Sequence, residues 1–432
     1  MAEIVLINSP VTKWSPHSSL SPPLGLAYIA SSLLQEGYEV TAVDFNISGL
    51  NLRRVDRIVK RNRPVIVGIS SHTETYPNAL KIARRIKSVD EDVKIVMGGP
   101  HPTVLPEQVL KEESVDFVVV GEGERTMVKL ARYILEGEGG LENIEGLGYK
   151  DGGELRINER GKPLDPDKLP YPARELFPLE FYRDKWTVLT SRGGCPFKCP
   201  FCAVSAIWGG SKRARDPKKI MDEVEVLIRK YGANYIYFVD DTFTLYREWV
   251  YSLLDLLNEL DYSLKWGCST RVDLVDKELL RNMAAAGCSA IQYGVESGSQ
   301  RILDSVKGIK KEQVLEAVKA AKDSGMDVVC SFMIPFPEDT KETLRETKEF
   351  MKKLRRLGSR VLLSYTAPFP GTYLYEHAEE LGIKILANSW DEFDAKHNVI
   401  ETKYLSNRDI QKLVEEIVEE VGLKSYNYFN YF

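Results

Sequence analysis

Ser191-Arg-Gly-Gly-Cys195-Pro-Phe-Lys-Cys199-Pro-Phe-Cys202 is the stretch around which the chain is organised. Three cysteines stand at CxxxCxxC spacing directly after the apolar run Trp186 to Thr190. Gly193, Gly194, Pro196 and Pro200 disfavour a helix, so the cysteines fall in an open loop. A loop can turn three thiolates onto one centre, which a regular helix or strand at this spacing does not. Thiolates are soft ligands that favour zinc or iron–sulfur clusters. A structural zinc takes four protein ligands, commonly as two CxxC pairs. Here no second pair follows, and the next histidine is His377. Three ligands on a four-iron cubane leave one iron open to a further ligand. Three buried loop cysteines, or a zinc with a distant fourth ligand, are the alternatives.

With Phe201 immediately before its last cysteine, the loop resembles the signature of the radical S-adenosylmethionine (radical SAM) enzymes. The resemblance implies a [4Fe-4S] cluster on Cys195, Cys199 and Cys202, its open iron chelated by the amino and carboxylate groups of S-adenosylmethionine (SAM). It also implies reductive cleavage of SAM to methionine and a 5′-deoxyadenosyl radical, which removes a hydrogen atom from substrate. In such enzymes the cofactors carry the hard chemistry and the protein binds and orients them.

Downstream, residues 186–370 repeat strand and helix six times. The expected strands are 186–190, 235–239, 264–268, 290–295, 328–334 and 361–366, with helices near 217–230, 247–260, 276–286, 310–324 and 340–357. Their strand ends should share one rim, as in a barrel. Six units predict an open (β/α)6 partial TIM barrel, which matches the radical SAM fold. The rim supplies candidate SAM contacts. Asp241, in Asp240-Asp241-Thr242-Phe243, is placed by the resemblance to accept from the SAM ammonium. Arg271 stands to pair with the SAM carboxylate or with Glu296. In the GxESG-like segment Gly294 to Gly298, Glu296 is placed to accept from the ribose hydroxyls. The resemblance also places Ser331 and Met333 as neighbours of ribose and adenine. Each carboxylate or guanidinium also reads as an ordinary surface charge or ion pair.

Upstream, residues 3–150 alternate five short apolar strands with helices, which predicts an α/β doubly wound parallel sheet. Ligands bind such sheets beyond the carboxyl ends of the strands. Those ends carry Pro22, Leu24 and Gly25 in Ser21-Pro-Pro-Leu-Gly25; Ser70-Ser71-His72; Gly98-Gly99-Pro100-His101; and Gly121-Glu122-Gly123. Glycines here let backbone approach a ligand, and the serines can bond a nucleotide-like tail; turn glycines of a generic flavodoxin-like domain are the bland alternative. Together, ahead of the cysteine loop, the segments resemble the cobalamin-binding domain of the cobalamin-dependent radical SAM branch, with its PPLG, GGxH and GEGE-like motifs. Pro22 falls where many cobalamin proteins place a cobalt-ligating histidine, so the resemblance implies cobalamin without one. His17 is the imidazole nearest that face and reads as a solvated loop residue.

The expected organisation is a cobalamin-binding domain at 1–140, a linker at 141–185, a radical SAM domain at 186–370 and a small helical extension at 371–432. The linker aromatics Phe177, Phe181, Tyr182 and Trp186 read as interface core, and the aromatic tail Ser425 to Phe432 as packed strand or coil. A net charge of −5, with 43% hydrophobic and 28% charged residues, gives no support to a nucleic-acid or membrane-surface binder. No apolar run approaches membrane-spanning length, and the amino terminus reads as strand rather than signal peptide. Cys268, Cys288 and Cys330 are scattered through strand-like segments and read as buried thiols, which points to a reduced, cytoplasmic compartment. The resemblance implies a methyltransferase that uses a 5′-deoxyadenosyl radical and methylcobalamin to methylate an sp3 carbon. It further implies a reductant such as ferredoxin or flavodoxin. Among short members, the chain is similar to C-methyltransferases that modify residues of methyl-coenzyme M reductase. A cobalamin-dependent oxidase, cyclase or lipid- or tetrapyrrole-modifying enzyme is the alternative chemistry. A non-catalytic cobalamin carrier or sensor is the non-enzymatic alternative.

Overall fold

The structure is a computed structural model that describes residues 3–12, 21–182, 186–210 and 212–423. His17 and the aromatic tail from Ser425 lie outside these. The chain divides into two compact units: Met1–Tyr182 with Ala206–Gly209 and Ser389–Asp391, and the remainder.

In the first unit the elements run β1 (Ile4–Asn8), α1 (Leu24–Gln35), β2 (Val40–Asp44), α2 (Leu52–Asn62), β3 (Ile66–Ser70), α3 (Tyr76–Val89), β4 (Lys94–Gly98), α4 (Pro100–Val104), α5 (Pro106–Leu110), β5 (Phe117–Val119), α6 (Gly123–Ala131), β6 (Leu147–Asp151) and β7 (Glu154–Ile157). The sheet order is β2-β1-β3-β4-β5-β6-β7. The first five strands are parallel, with Ile4 opposite Val40 on one side and Ile66 on the other. Their apolar residues pack on both faces, as helix-covered parallel strands require. One face carries Val55 and Val59 of α2 and Ala79, Ile82 and Ile86 of α3. The other carries Leu26, Ala30 and Leu33 of α1 and Met127 and Leu130 of α6.

The sheet does not stop near residue 140. The stretch read as a linker from residue 141 adds two antiparallel strands, β6 on β5 and β7 on β6. Leu147 and Tyr149 alternate inward and are buried. Asp151 pairs with Glu154 across Gly152 and Gly153, both at positive φ. Two central residues at positive φ suit a tight hairpin whose twist matches its strands, and Gly-Gly is a sequence signal for one.

The second unit contains β8 (Trp186–Leu189), β9 (Ser191–Gly193), α7 (Val204–Trp208, whose last residues belong with the first unit), β10 (Lys212–Ala214), α8 (Pro217–Tyr231), β11 (Tyr235–Val239), α9 (Arg247–Asn258), β12 (Lys265–Thr270), α10 (Lys277–Ala285), β13 (Cys288–Glu296), α11 (Gln300–Val306), α12 (Lys311–Asp323), β14 (Asp327–Ile334), α13 (Lys341–Arg356), β15 (Arg360–Tyr365), α14 (Tyr373–Glu376), β16 (Lys384–Ile385), β17 (Ile400–Glu401) and α15 (Asn407–Val421). Six strands pair in parallel in the order β8-β11-β12-β13-β14-β15, so consecutive β/α units lie side by side. Their carboxyl ends therefore share one edge. Cys268, Cys288 and Cys330 are buried free thiols within these strands. The amphipathic α15 lies along α13, with Lys348 bonded to Glu420 at 2.6 Å. No helix among the described residues is long and apolar enough to cross a membrane.

Candidate cofactor sites

The cysteine loop is gripped at its base. β9 pairs antiparallel with β10, Gly193 opposite Lys212 and Ser191 opposite Ala214. Asp240, at the end of β11, accepts from Lys212 Nζ at 2.8 Å, Thr190 Oγ1 at 2.7 Å, Ser191 Oγ at 2.8 Å and the Thr242 amide at 2.8 Å. Lys212 also donates to the Thr242 carbonyl at 2.7 Å. Both charged side chains are essentially inaccessible. Removing one partner of such a pair leaves an uncompensated buried charge, which costs about 3–5 kcal/mol. Asp240 is therefore spent on holding the loop.

Within the loop, the Cys202 amide donates to the Cys199 carbonyl at 3.1 Å, a turn that brings the last two cysteines round together. Cys195 Sγ lies 3.3 Å from Thr242 Oγ1. All three thiols are half-buried and free. Burial raises the Cys202 thiol to about 11. Burial also raises Cys199, against the pull of Lys307 and Arg271. A metal centre would displace these protons. Among the described residues no three His, Cys, Asp or Glu side chains are set to hold a single metal ion. Three soft donors on an open loop fit a cluster with one iron left free. Phe201 packs against Phe336 at 5.6 Å, with Met333 beside them.

Glu296 ends β13 in a left-handed conformation, φ 70°. Few non-glycine residues adopt this, and such strain gathers at functional sites. The strand register slips between Gly294 and Glu296 as the carboxylate swings round. Lys307, just beyond α11, bonds Glu296 Oε1 at 2.7 Å and the Gly294 carbonyl at 2.5 Å, and both charged side chains are nearly buried. The motif's glycines now have reasons. A Cβ on Gly294 would fall 2.4 Å from Glu296 Oε1 and 2.6 Å from Lys307 Nζ, and one on Gly298 would fall 2.6 Å from Thr347 Cα of α13. Lys307 escaped the sequence reading, its one signal being a cation eleven residues past the motif's carboxylate.

Arg271 was expected to face the SAM carboxylate or Glu296. Glu296 belongs to Lys307 instead. Arg271 makes a two-pronged bond to Asp273, both at 2.9 Å, donates to the Lys307 carbonyl at 3.1 Å, and lies 3.8 Å over the Phe197 ring. The Asp241 side chain is exposed on this rim. Desolvation by nearby protein, then Asp240 beside it, raises its carboxyl to about 6 against the pull of Lys212. Ser331 is half-buried and donates to the Tyr293 carbonyl at 3.3 Å.

The strand ends of the first unit behave differently. A Cβ on Gly99 (φ 98°) would meet the Ser71 carbonyl at 2.8 Å and Ser70 Oγ at 3.0 Å; one on Gly123 would meet Ile29 at 2.9 Å. Gly99 is required by the protein's own backbone, whereas at Gly123 the neighbour is only the mobile end of the Ile29 side chain. Gly98 meets only Val119, in ordinary contact, whereas a Cβ on Gly25 would meet nothing within 4 Å. Pro22 is buried and Leu24 half-buried beside it. Glu122 accepts the Leu164 amide at 2.8 Å, and with Gly121 it lines a cleft shared with Arg125 and Arg160. Pro100 starts α4 and is half-buried. His72 is exposed, but His101 has no accessible surface. The His101 ring stacks on Tyr76 at 4.2 Å and meets Trp390 edge-on at 5.2 Å. Burial, aided by His72, lowers its pKa to about 4. His101 was expected at the cofactor; it offers none of its surface and belongs to the core.

The fit to cobalamin rests on other atoms. Ser71 Oγ and Tyr76 Oη are buried without a protein partner beyond the end of β3. Buried polar groups are normally bonded, so this region wants a polar ligand or water. Open space over Gly25 leaves room for a flat ring system.

Family comparisons agree with this geometry. Residues 190–351 match the radical SAM superfamily model, and residues 18–131 match the B12 binding domain model. An uncharacterised methyltransferase of Pyrococcus horikoshii is 35% identical over 403 residues, covering 91% of this chain and 86% of its own. The anaerobic magnesium-protoporphyrin IX monomethyl ester cyclase of Rubrivivax gelatinosus is 29% identical over 386 residues, covering 86% and 68%. The solved structure of the radical SAM methyltransferase TsrM of Kitasatospora setae, with cobalamin and a [4Fe-4S] cluster bound, shares the fold at TM-score 0.76 and 20% identity, covering 98% of this chain and 89% of that one. Two domain models in this order, a relative matched over nearly the whole chain and a cysteine loop built for three thiolates make this protein a member of the cobalamin-dependent radical SAM enzymes, with a [4Fe-4S] cluster, SAM and cobalamin as its cofactors.

Proposed function

We propose that the enzyme methylates an unactivated sp3 carbon. Once bound, the cofactors would supply the reactive chemistry, hydrogen-atom abstraction from the SAM side and a methyl group from the cobalamin side. The chain's residues bind and aim. Cys195, Cys199 and Cys202 hold the cluster. Glu296, fixed by Lys307 and its left-handed turn, accepts from the ribose hydroxyls of SAM. Asp241 receives the SAM ammonium, and Ser331 and Met333 flank the nucleoside. Gly25, Ser70, Ser71 and Gly121 border the cobalamin, with Pro22 where a cobalt-ligating histidine would be expected.

The observation that carries methyl transfer is the 35% identity to the Pyrococcus horikoshii methyltransferase across 91% of this chain. For the acceptor we propose a protein side chain such as a residue of methyl-coenzyme M reductase, supported by the resemblance of the chain to the short C-methyltransferases of that protein. A low-potential donor such as ferredoxin or flavodoxin supplies the electron in the cytoplasm. The second reading, an oxidative cyclase acting on a tetrapyrrole, is favoured by the 29% identity to the Rubrivivax gelatinosus cyclase.

The test is anaerobic incubation of reconstituted enzyme with methyl-deuterated SAM, a chemical reductant, methylcobalamin and unmethylated methyl-coenzyme M reductase. A deuterated methyl on a carbon of the reductase, with matching 5′-deoxyadenosine and S-adenosylhomocysteine, is expected. Deuterium in no protein, together with ring closure of magnesium-protoporphyrin IX monomethyl ester by the same preparation, would overturn it for the cyclase.

A further inference from the structure

Arg271 is a buried guanidinium, 7% exposed, with more partners than an ion pair needs. Asp273 fixes its plane through two bonds and the Lys307 carbonyl takes a third. Its face covers Phe197, two residues before Cys199 in the cluster loop, at 3.8 Å. Its remaining terminal nitrogen points at Cys199 Sγ, 3.9 Å away. All of these residues belong to one unit. A guanidinium stacked on an aromatic ring and held by a carboxylate fork is pre-organised in a way a lysine is not.

We infer that Arg271 is a positioning residue of the cluster: it clamps Phe197 to set the loop, and it presents an N–H and a positive charge to the Cys199 sulfur, making the cluster easier to reduce. This rests on the cluster being held by Cys195, Cys199 and Cys202. Hydrogen bonds to cluster sulfurs and nearby charge are the protein's levers on iron–sulfur potentials. The cluster gains one negative charge when it takes an electron from the external donor, so a cation beside Cys199 stabilises the reduced form. Asp273 works the other way. It orients the arginine but offsets its charge.

The test reads the potential and the loop, in the absence of SAM, so a carboxylate-anchoring role would leave it unmoved. Reconstituted wild type, Arg271→Gln, Arg271→Lys and Asp273→Asn are titrated anaerobically and followed by electron paramagnetic resonance of the reduced cluster. Arg271→Gln should make reduction at least tenfold less favourable, a downward shift of about 59 mV for one electron. Asp273→Asn should shift the midpoint upward, and Arg271→Lys should fall between wild type and Arg271→Gln. In the apoproteins, trypsin should cut after the exposed Lys198 faster in Arg271→Gln than in wild type, because the neighbouring Phe197 loses its clamp. Opposite shifts for Arg271→Gln and Asp273→Asn support the inference, which a merely structural role does not produce. If Arg271→Gln fails to hold iron, an upward shift in Asp273→Asn still supports it. Midpoints that stay fixed, or move in one direction, overturn it. Iron analysis separates this from the assignment beneath it: wild type with about four irons and unmoved variants removes only the role of Arg271. Wild type without iron removes the cluster itself.

Discussion

The rim of the six-stranded sheet and the strand ends of the seven-stranded sheet carry motifs of similar appearance, both rich in glycine with a charged or aromatic residue beside it. They are built to different ends. On the six-stranded rim, Gly294 makes room for the ion pair of Glu296 with Lys307, so the glycine exists to let reactive side chains meet. On the seven-stranded sheet, Gly99 and Gly123 make room for Ser71 and Ile29, and His101 is sealed beneath Tyr76 and Trp390. There the glycines serve close passes of the protein's own backbone, while space stays open over Gly25 and the buried hydroxyl of Ser71 is left without a protein partner. A motif glycine therefore tells where backbone must pass closely, and only the structure tells past what.

The sharpest break in that comparison lies at the cysteines. Replacing Cys195, Cys199 and Cys202 together by alanine should remove all of the roughly four irons after anaerobic reconstitution, with all formation of 5′-deoxyadenosine. Replacing the buried Cys268, Cys288 and Cys330 should leave the iron content unchanged. Iron analysis and the cluster's visible absorption check both. Iron retained in the first variant would dissolve the distinction between loop and strand cysteines.

Next in size are the losses at the Glu296–Lys307 pair. Glu296→Ala should cost about 1.5–3 kcal/mol of SAM binding, a roughly ten- to hundredfold weaker affinity, with the cluster intact. Gly294→Ala should weaken SAM binding in the same direction but less, since its Cβ would land 2.4 Å from Glu296 Oε1, the end of a side chain that can shift aside. Equilibrium binding to the reconstituted protein measures both. A Gly294→Ala protein with wild-type affinity would mean that this glycine, like Gly99, serves only its own backbone.

Much of this was legible from residue types alone. The parallel strands are short β-branched runs between helices with a 3.6-residue apolar period, and such patterns survive folding because burial enforces them. The cysteine loop was legible because thiolates at that spacing have few other uses. The β6–β7 hairpin was not: its strands are short, β7 is exposed, and its Gly-Gly turn was counted with a glycine-rich linker. Lys307 was not legible because a surface lysine and a buried one look alike in sequence; only the bulge at Glu296 brings it in. The orientation of Arg271 turned on Asp273, two residues on, whose carboxylate captures it before any distant partner can.

The seven-stranded sheet can be tested by a pair of glycines. Gly99→Ala should destabilise the protein by about 1–3 kcal/mol, because alanine must hold a left-handed backbone and also displace the Ser71 carbonyl. Gly25→Ala should leave stability nearly unchanged and loosen cobalamin, because its side would face the ligand. Urea denaturation reads the first and cobalamin retained after gel filtration the second. Equal behaviour of the two variants would erase the separation between packing glycines and surface glycines.

The smallest effect concerns His101, and its sign follows from burial. Its folded-state pKa is lowered to about 4 from an ordinary 6.5, by desolvation first and by His72 second. Between those values the unfolded chain binds a proton at this position and the native chain does not. Stability must therefore fall as pH falls through that window, by at most about 1.4 kcal/mol per pH unit from this one group. Above 6.5 the imidazole is neutral in both states and adds no slope. His101→Phe keeps the ring between Tyr76 and Trp390 but has nothing to titrate. Its urea stability should thus decline less than that of wild type from pH 6.5 to 5, while the difference between the two proteins stays constant from pH 7 to 8. Parallel decline below pH 6.5 would mean that native His101 takes up its proton as freely as the unfolded chain does. That would require an imidazole reached by water or by a ligand's charge, and would return His101 from the core to the cobalamin surface.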